Sequence, residues 1–571
     1  MFLSSLHIKN FRGIREITLK FQKGLNVLIG ENNCGKTAVA DALRLVLSAG
    51  SVRRDISMTI DDFFCDSSGI RAQIVELDVV FTELTPAEQG IFVEMLSIID
   101  TTPQLKLHLR YSLEKRGGIE RWRFRSWGGD NEGQQIAPEV LNELFYYVHL
   151  GALRDAERDL SPSRGNRLGQ LFLKLQRNPE SQSQLAETIQ QKFNEDPDWT
   201  SLRQQAQQKV KGHLDDASLE DERCGVDISF VPLEFRRIVE TLQMRFWRET
   251  DGLPGRLFQI EQNGLGYNNL LYIATVLGDL IERKSSEAEA YVALIIEEPE
   301  AHLHPQLQDT LFNFLENVAG RGIQIFITSH SPTVTARTRL DSLAVLHAST
   351  DGNEVVNIID CPLTDDEKGY LGRFLDVTKS QLFFAKAVVL VEGISEALLL
   401  PLLARRIPCD LDKRGIEIIN IAGTAFKPFA LLFNSDDPIK RLSISCSLIT
   451  DDDRSATGLI SPRAATAQGL AGGMLQVFFA RRTFEYELWE SGNKDILIEV
   501  YETLHPRTPI TSAQELLDAL DRNGDKAVFA QALSHKLMRD AVVRENFVVP
   551  DYIRRAISWA ASPTRGNLAS L

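Results

Sequence analysis

The sequence predicts an α/β multidomain chain, and three observations carry that prediction. First, the loop Gly30-Glu31-Asn32-Asn33-Cys34-Gly35-Lys36-Thr37 joins the apolar run 25–29 to a helical stretch over 38–47, so a buried strand turns sharply into a helix. Second, the buried runs 291–296 and 323–327 each end in a polar cluster, Glu297-Glu298-Pro299-Glu300 and Thr328-Ser329-His330-Ser331. Third, beyond residue 380 the short apolar runs 387–391, 416–421 and 442–449 mark a second αβ unit, two of whose strands end in carboxylates. At 571 residues the chain exceeds a single hydrophobic core, and two to four domains are expected.

In the first loop, backbone N–H groups and the positive end of a helix converge on one spot, which suits a phosphate. Asn32, Asn33, Gly35, Lys36 and Thr37 are the candidate contacts. Lys36 would reach the β and γ phosphates of ATP, and the Thr37 hydroxyl would complete a Mg²⁺ shell. A glycine-rich turn with a solvated lysine is the plain alternative, and the strand and helix on either side argue against it.

Composition is that of an ordinary globular protein, 43% hydrophobic and 25% charged. The net charge of -15 excludes a broadly basic, histone-like surface but not a local basic groove or bound divalent ions. Six cysteines without C-x-x-C spacing point to buried, reduced thiols rather than a zinc cluster. With no run of 18 apolar residues and no signal-peptide pattern, the expectation is a cytoplasmic protein that does not enter a membrane.

Residues 1–21 carry two apolar–polar alternations around Asn10-Phe11-Arg12-Gly13, expected as edge strands flanking the phosphate-loop strand. A strand over 74–81, the period-two run 104–111 and its continuation through Trp122-Arg123-Phe124 after a Gly117-Gly118 turn make a sheet-rich lobe. The strand around 146–150 leads to Arg154-Asp155 and Arg158-Asp159, either a salt-bridged helix face or a phosphate or intersubunit network. From Arg167 to about Asp221, leucines recur at helical spacing among Gln, Glu and Lys, which predicts an inserted helical hairpin or small bundle. Its apolar faces need burial, either against a second subunit or back on its own lobe.

Asn263-Gly264-Leu265-Gly266 precedes a helical run and is expected as a glycine-rich, anion-facing loop. Glu297 at the end of its strand would hold Mg²⁺, and Glu298 would polarise the attacking water. His330, just past the next strand, would sense or hold the γ-phosphate.

This order of loops resembles the head domain of ABC-type ATPases, the branch that includes SMC and RecF proteins. The resemblance implies an ABC/SMC-like P-loop ATPase head with ATP sandwiched between two heads. Gly30–Thr37 would be its Walker A loop, residues 263–269 its signature loop, Glu297-Glu298 its Walker B pair and His330 its switch histidine. Two departures stand out: Gly264-Leu265-Gly266 replaces the usual serine and glycines, and Glu297 replaces aspartate.

In the second half, Glu392 sits at the mouth of a buried strand and Glu396 one helical turn later. Asp451-Asp452-Asp453 closes another strand; if strand geometry persists, Asp451 and Asp453 share a face. Three adjacent carboxylates repel one another, a cost that a divalent cation removes. These clusters resemble the Toprim fold, a Rossmann-like nuclease domain, which implies Mg²⁺-assisted phosphodiester cleavage, with Mn²⁺ or Ca²⁺ able to occupy the site. No tyrosine is evidently placed for a covalent intermediate, which favours hydrolysis.

An ABC-type ATPase followed directly by Toprim resembles the OLD (overcoming lysogenization defect) family of endonucleases. That resemblance implies Glu485 as a further metal ligand and Lys526, with Lys536 as its rival, as the lysine that stabilises charge on the scissile phosphate. Glu396 stands where the family often carries aspartate. It also implies DNA as substrate, a dimer or tetramer, and a role in antiviral defence. The expected layout is an ATPase over 1–350 with its insert at about 160–225, a linker over 351–380 and Toprim with C-terminal helices over 381–571. Two other readings are an SMC-like repair ATPase that binds DNA without cutting, and a regulatory ATPase that acts with a protein or RNA partner.

Overall fold

The computed structural model describes residues 1–49, 56–99, 102–116, 119–132, 145–152, 159–217, 224–246, 257–285, 289–349, 351–407, 409–423, 425–454 and 460–562. The Gly117-Gly118 turn, Arg154, Asp155, Arg158 and the tail 563–571 lie outside the described residues.

Two six-stranded sheets make most of the first half, beside a short pair of Arg245–Phe246 with Phe258–Gln259. The strands Phe2–Phe11, Ile14–Lys20, Ile74–Thr82, Leu96–Ile99, Thr102–Arg116 and Ile119–Gly128 form one antiparallel sheet. Its inner face alternates Leu105, Leu107, Leu109 and Tyr111, all buried, with polar neighbours facing out. The first two strands therefore do not flank the phosphate-loop strand, as the sequence suggested. They pair with each other, and Phe2–Phe11 pairs on its other side with Ile74–Thr82, because alternation suits a sheet with one wet face, whereas Leu25–Gly30 is buried along its whole length.

The second sheet runs in the order Glu354–Asn357, Leu343–His347, Leu25–Gly30, Gln324–Ser329, Tyr291–Glu297, Phe145–Leu150. All neighbours are parallel except Glu354–Asn357, which closes the edge antiparallel. Parallel pairing places Gly30, Glu297, Ser329 and Leu150 along one edge, so the loops that follow these strands gather there. The helix Lys36–Leu47 packs between the two sheets, its Val39, Leu43 and Val46 buried in a core shared with both.

Residues 351–380, expected as a connection, are built into this edge. They supply the strand Glu354–Asn357 and the helix Asp365–Phe374, and Asn353 donates its N–H to the Gly13 carbonyl at 2.8 Å. Three helices, Arg167–Leu175, Pro179–Glu195 and Pro197–Ala217, make the insert. The first packs against the helix Leu265–Ser285, while Leu185, Phe193, Leu202 and Val210 on the other two stay exposed.

Beyond it, four parallel strands stand in the order Ile416–Asn420, Ala387–Val391, Ser445–Asp451, Leu475–Ala480. The chain winds one way from Ala387–Val391 to Ile416–Asn420 and the other way to Ser445–Asp451. The crevice between Ala387–Val391 and Ser445–Asp451 is thus the topological switch point, where open α/β sheets hold ligands. The helices Lys526–Arg539 and Asp551–Ala561 cover this unit, with Phe529, Leu533, Ile553 and Ile557 in its core. Among the described residues no helix is long and apolar enough to cross a membrane.

Candidate functional site

The phosphate loop is held open by left-handed backbone. Gly35 has φ 99°, and a Cβ there would meet Asn353 Nδ2 at 2.7 Å. Asn32 and Asn33 stand exposed on its rim, Asn33 itself at φ 62°. Lys36 folds inward, where Nζ donates to the Gly30 and Glu31 carbonyls at 2.9 Å each and to His330 Nδ1 at 3.2 Å. Burial lowers the Lys36 pKa, with Cys34 and Glu298 opposing. Burial and then the Lys36 charge lower that of His330. The lysine thus occupies the cradle through weak neutral acceptors that a phosphate would displace.

Glu297 is gripped on both oxygens. Thr37 Oγ1 donates to one at 3.0 Å and His149 Nε2 to the other at 2.8 Å. Burial, the largest single influence, works against its ionisation, but the hydrogen bonds from His149 and Thr37 and the charges of His149 and Arg44 together outweigh it and leave the carboxyl below its ordinary range. Glu298 is the opposite case: burial, then the neighbouring Glu300, raise it to about 8. It accepts the His330 N–H at 3.2 Å, and its own backbone is left-handed at φ 46°, a conformation that a non-glycine residue keeps only under constraint. Two adjacent glutamates are thus tuned apart, one ionised to hold a cation and one poised to exchange a proton near neutral pH.

Asn263, Gly264 and Gly266 take a different place from the one expected. The helix begins at Leu265, so only Asn263 and Gly264 are loop and Gly266 lies in the first turn. A Cβ on Gly266 would come within 2.6 Å of the His302 carbonyl, and Asn268 Nδ2 donates to the Ile260 carbonyl at 2.8 Å. Among the described residues no hydrogen bond joins Asn263, Gly264 or Gly266 to Lys36, Glu297 or His330.

At the switch point of the second sheet, the structure brings Glu392, Asp451 and Asp453 together. The Asp451 N–H donates to Glu392 Oε1 at 3.4 Å, and Thr450 Oγ1 donates to the same oxygen. Arg463 bridges the other Glu392 oxygen and Asp453 Oδ2, the latter at 3.2 Å. The strand ends at Asp451 and Asp453 turns left-handed at φ 45°, so the two do not share a face by strand alternation; the turn points Asp453 at Arg463 instead. Asp452, between them, is a structural residue, buried and held by Arg454 at 2.9 Å and by the Arg482 N–H at 2.8 Å.

Deeper in the crevice lie Glu396 and Glu485, 7% and 4% exposed. Burial, then Glu485 and Glu392, raise Glu396 to about 7. Burial, then Glu396, Glu392, Glu485 and Asp453, hold Asp451 well above the carboxylate range. Lys526 begins a neighbouring helix, where its carbonyl accepts from Ser395 Oγ at 3.4 Å and its ammonium pairs with Asp521 at 2.8 Å. Lys536 points elsewhere, to Glu499 at 2.6 Å.

The AAA ATPase domain family matches residues 1–223 and 174–335, and the TOPRIM domain of overcoming lysogenization defect protein-like proteins matches 383–453. The chain belongs to the AAA ATPase domain family, with an OLD-like Toprim domain fused to it. An OLD nuclease of Thermus scotoductus is 25% identical over 74% of this chain and 78% of its own length. Endonuclease GajA of Bacillus cereus is 24% identical over 54% of each. Among solved structures, the C-terminal region of the Burkholderia pseudomallei OLD protein covers 31% of this chain and 98% of that one, at 25% identity and a TM-score of 0.25.

The OLD-like donor set is all oxygen, the chemistry of Mg²⁺, Mn²⁺ or Ca²⁺. Among the described residues no three acidic, histidine or cysteine side chains already converge as a ready cage. The residues nonetheless fit a cation: their mutual repulsion raises Asp451 and Glu396, and Arg463 stands as a cation on two of them. The Tyr552 hydroxyl, buried and without a partner, is a further sign; its fully buried phenol senses Asp451 and Glu396. No sequence pattern marks this tyrosine as lying near the carboxylates, and burial raises its pKa well above the ordinary value, so it remains a neutral donor rather than a nucleophile. Sequence reasoning also missed His149 and Arg463.

Proposed function

We propose that this chain is an ATP-regulated, divalent-metal-dependent DNA endonuclease, with a role in antiviral defence as its family resemblance implies. The observation that carries the reading is the crevice where Glu392, Glu396, Asp451, Asp453 and Glu485 gather at a parallel-sheet switch point, in the same chain as a P-loop site. Five carboxylates crowded beside a single bridging arginine have no structural use that would balance their repulsion. A divalent cation bound there would neutralise the attacked phosphate and activate water.

In this reading Glu392, Glu396, Asp451, Asp453 and Glu485 are the metal ligands. Lys526 rather than Lys536 faces the scissile phosphate, because only Lys526 senses Glu485 and Asp451. At the other site Asn32, Asn33, Gly35, Lys36 and Thr37 cradle ATP, Thr37 and Glu297 take its Mg²⁺, Glu298 accepts a proton from water and His330 senses the γ-phosphate. Asn263, Gly264 and Gly266 would serve the nucleotide of a second subunit, since they do not reach the site of their own. Paired heads make the protein a symmetric dimer or tetramer, joined through the helical insert at about 160–225. The layout is an ATPase over 1–350, to whose sheet residues 351–380 add an edge strand, and a nuclease over 381–571.

Cleavage of supercoiled plasmid by wild type and Glu392→Ala, with Mg²⁺ or Mn²⁺ and with or without ATP, tests the proposal. Nicking by the wild type and none by the variant is the expected result. Equal cleavage by both rejects the nuclease site. Intact ATPase without cleavage by either favours a DNA-binding repair ATPase, or one acting with a protein or RNA partner.

A further inference from the structure

The five carboxylates of the second crevice are not treated alike. Arg463 sits at the start of the helix Pro462–Gln468, which returns to the crevice because the Ser461 N–H donates to the Asp452 carbonyl at 3.1 Å. Its two terminal nitrogens take one oxygen each from Glu392 and Asp453, and its Nε is buried without a partner. Glu396, Asp451 and Glu485, on the inner side, have no cation within ion-pair distance among the described residues, and the lysine whose charge they feel, Lys526, is paired with Asp521. A guanidinium that spans two carboxylates in this way uses the oxygens that a divalent ion would need. The ion and the arginine cannot both hold them, because their charges repel and each oxygen lone pair serves one partner at a time.

We propose that Arg463 is a resident counter-cation that guards the metal site. It holds Glu392 and Asp453 in place, and metal entry must displace it. The inference rests on the nuclease reading and adds to it a residue that sets the metal affinity without ligating the metal. Two features of the geometry make displacement feasible. The side chain is 32% exposed, so it has a path into solvent, and its unpartnered Nε means that it is not locked by a third bond. The inner three carboxylates would attract the first ion, and closure onto Glu392 and Asp453 would follow release of the arginine.

The test is Mn²⁺ binding to the full chain, followed by electron paramagnetic resonance of free Mn²⁺ in the absence of DNA and ATP. Arg463→Gln should bind Mn²⁺ about tenfold tighter than wild type, the change that 1.4 kcal/mol produces. Arg463→Lys, which keeps the charge, should stay within about threefold of wild type, a rescue that a purely structural arginine would not show. Near-UV circular dichroism establishes that each variant is folded before its affinity is used. Equal or weaker binding by a folded Arg463→Gln overturns the guard. Binding by neither wild type nor Arg463→Gln above the level of an Asp451→Asn/Glu392→Gln double variant overturns the nuclease reading and the guard together, so the two failures are distinct.

Discussion

The two acid-tipped crevices of this molecule solve the same problem in opposite ways. In the P-loop site Lys36 and Glu297 already have partners of modest strength: Lys36 rests on the carbonyls of Gly30 and Glu31, and Glu297 on Thr37 and His149, while Glu298, buried beside Glu300, is pushed up. In the Toprim crevice the outer carboxylates are clamped by Arg463, while the buried Glu396 and Glu485 and the half-buried Asp451 repel one another. In the first site repulsion is confined to Glu298 beside Glu300, and the loop around it is preorganised. In the second, repulsion runs through the inner carboxylates, an imbalance that a divalent cation would relieve. The difference teaches that the phosphate loop keeps its geometry through short-range partners, whereas the carboxylate crevice would gain stability from a bound cation.

Substitutions that silence one crevice should spare the other. Lys36→Ala removes the lysine of the phosphate loop and should lower ATP turnover by at least about 100-fold, measured as phosphate release, with plasmid nicking in the absence of ATP kept. Asp451→Asn should lower nicking by a similar factor of about 100 and leave ATP turnover within about twofold. A protein in which Asp451→Asn also stops ATP turnover would join the two sites into one. Lys526→Ala should lower nicking far more than Lys536→Ala; an equal loss would show that the pairing of Lys526 with Asp521 keeps it out of the chemistry.

His149→Ala should cost about tenfold in ATP turnover, with the larger part in the Mg²⁺ concentration required, because Glu297 loses one of its two anchors. No change in the Mg²⁺ dependence would reduce His149 to packing.

The smallest effect separates the crevices by pH. Glu396 has a folded-state pKa of about 7 and Glu298 of about 8, against 4.5 for the ordinary side chain. Between pH 4.5 and those values the folded chain binds more protons than the unfolded one, so stability is greatest below that window and falls as pH rises through it. At about 1.4 kcal/mol per unit, Glu396 alone corresponds to a loss on the order of 3 kcal/mol. Urea unfolding in EDTA at pH 5.5 and 8.5 should show the fall, and Mg²⁺ should remove the part of it that belongs to Glu396. A slope unaffected by Mg²⁺ would place its source outside the carboxylate crevice.

Much of the machinery was legible because it is local. The P-loop needs eight consecutive residues between a buried strand and a helix, and the acidic strand tips follow their apolar runs directly. Reading Asn263–Asn269 as one loop failed at Leu265, where the helix starts early. Absence of a side chain at Gly266 lets the His302 carbonyl approach, which is a packing fact and not a turn signal. The Asp451/Asp453 alternation failed because the strand stops at Asp451 and the next two residues serve a turn locked by Asp452.

What the sequence determined by itself is the list of local chemistries: a phosphate loop, two glutamate-tipped strands, a histidine beyond a third and an aspartate triplet. Each is short-range, set by backbone geometry and the nature of a few adjacent residues. Only the tertiary structure decided which distant groups modify them. His149 reaches Glu297, 148 positions further along the chain, because Phe145–Leu150 pairs with Tyr291–Glu297, and Arg463 reaches Glu392 because a helix folds back over a strand end. Neither partner has a pattern of its own, since a lone histidine or arginine acquires its role from the charge it is packed against.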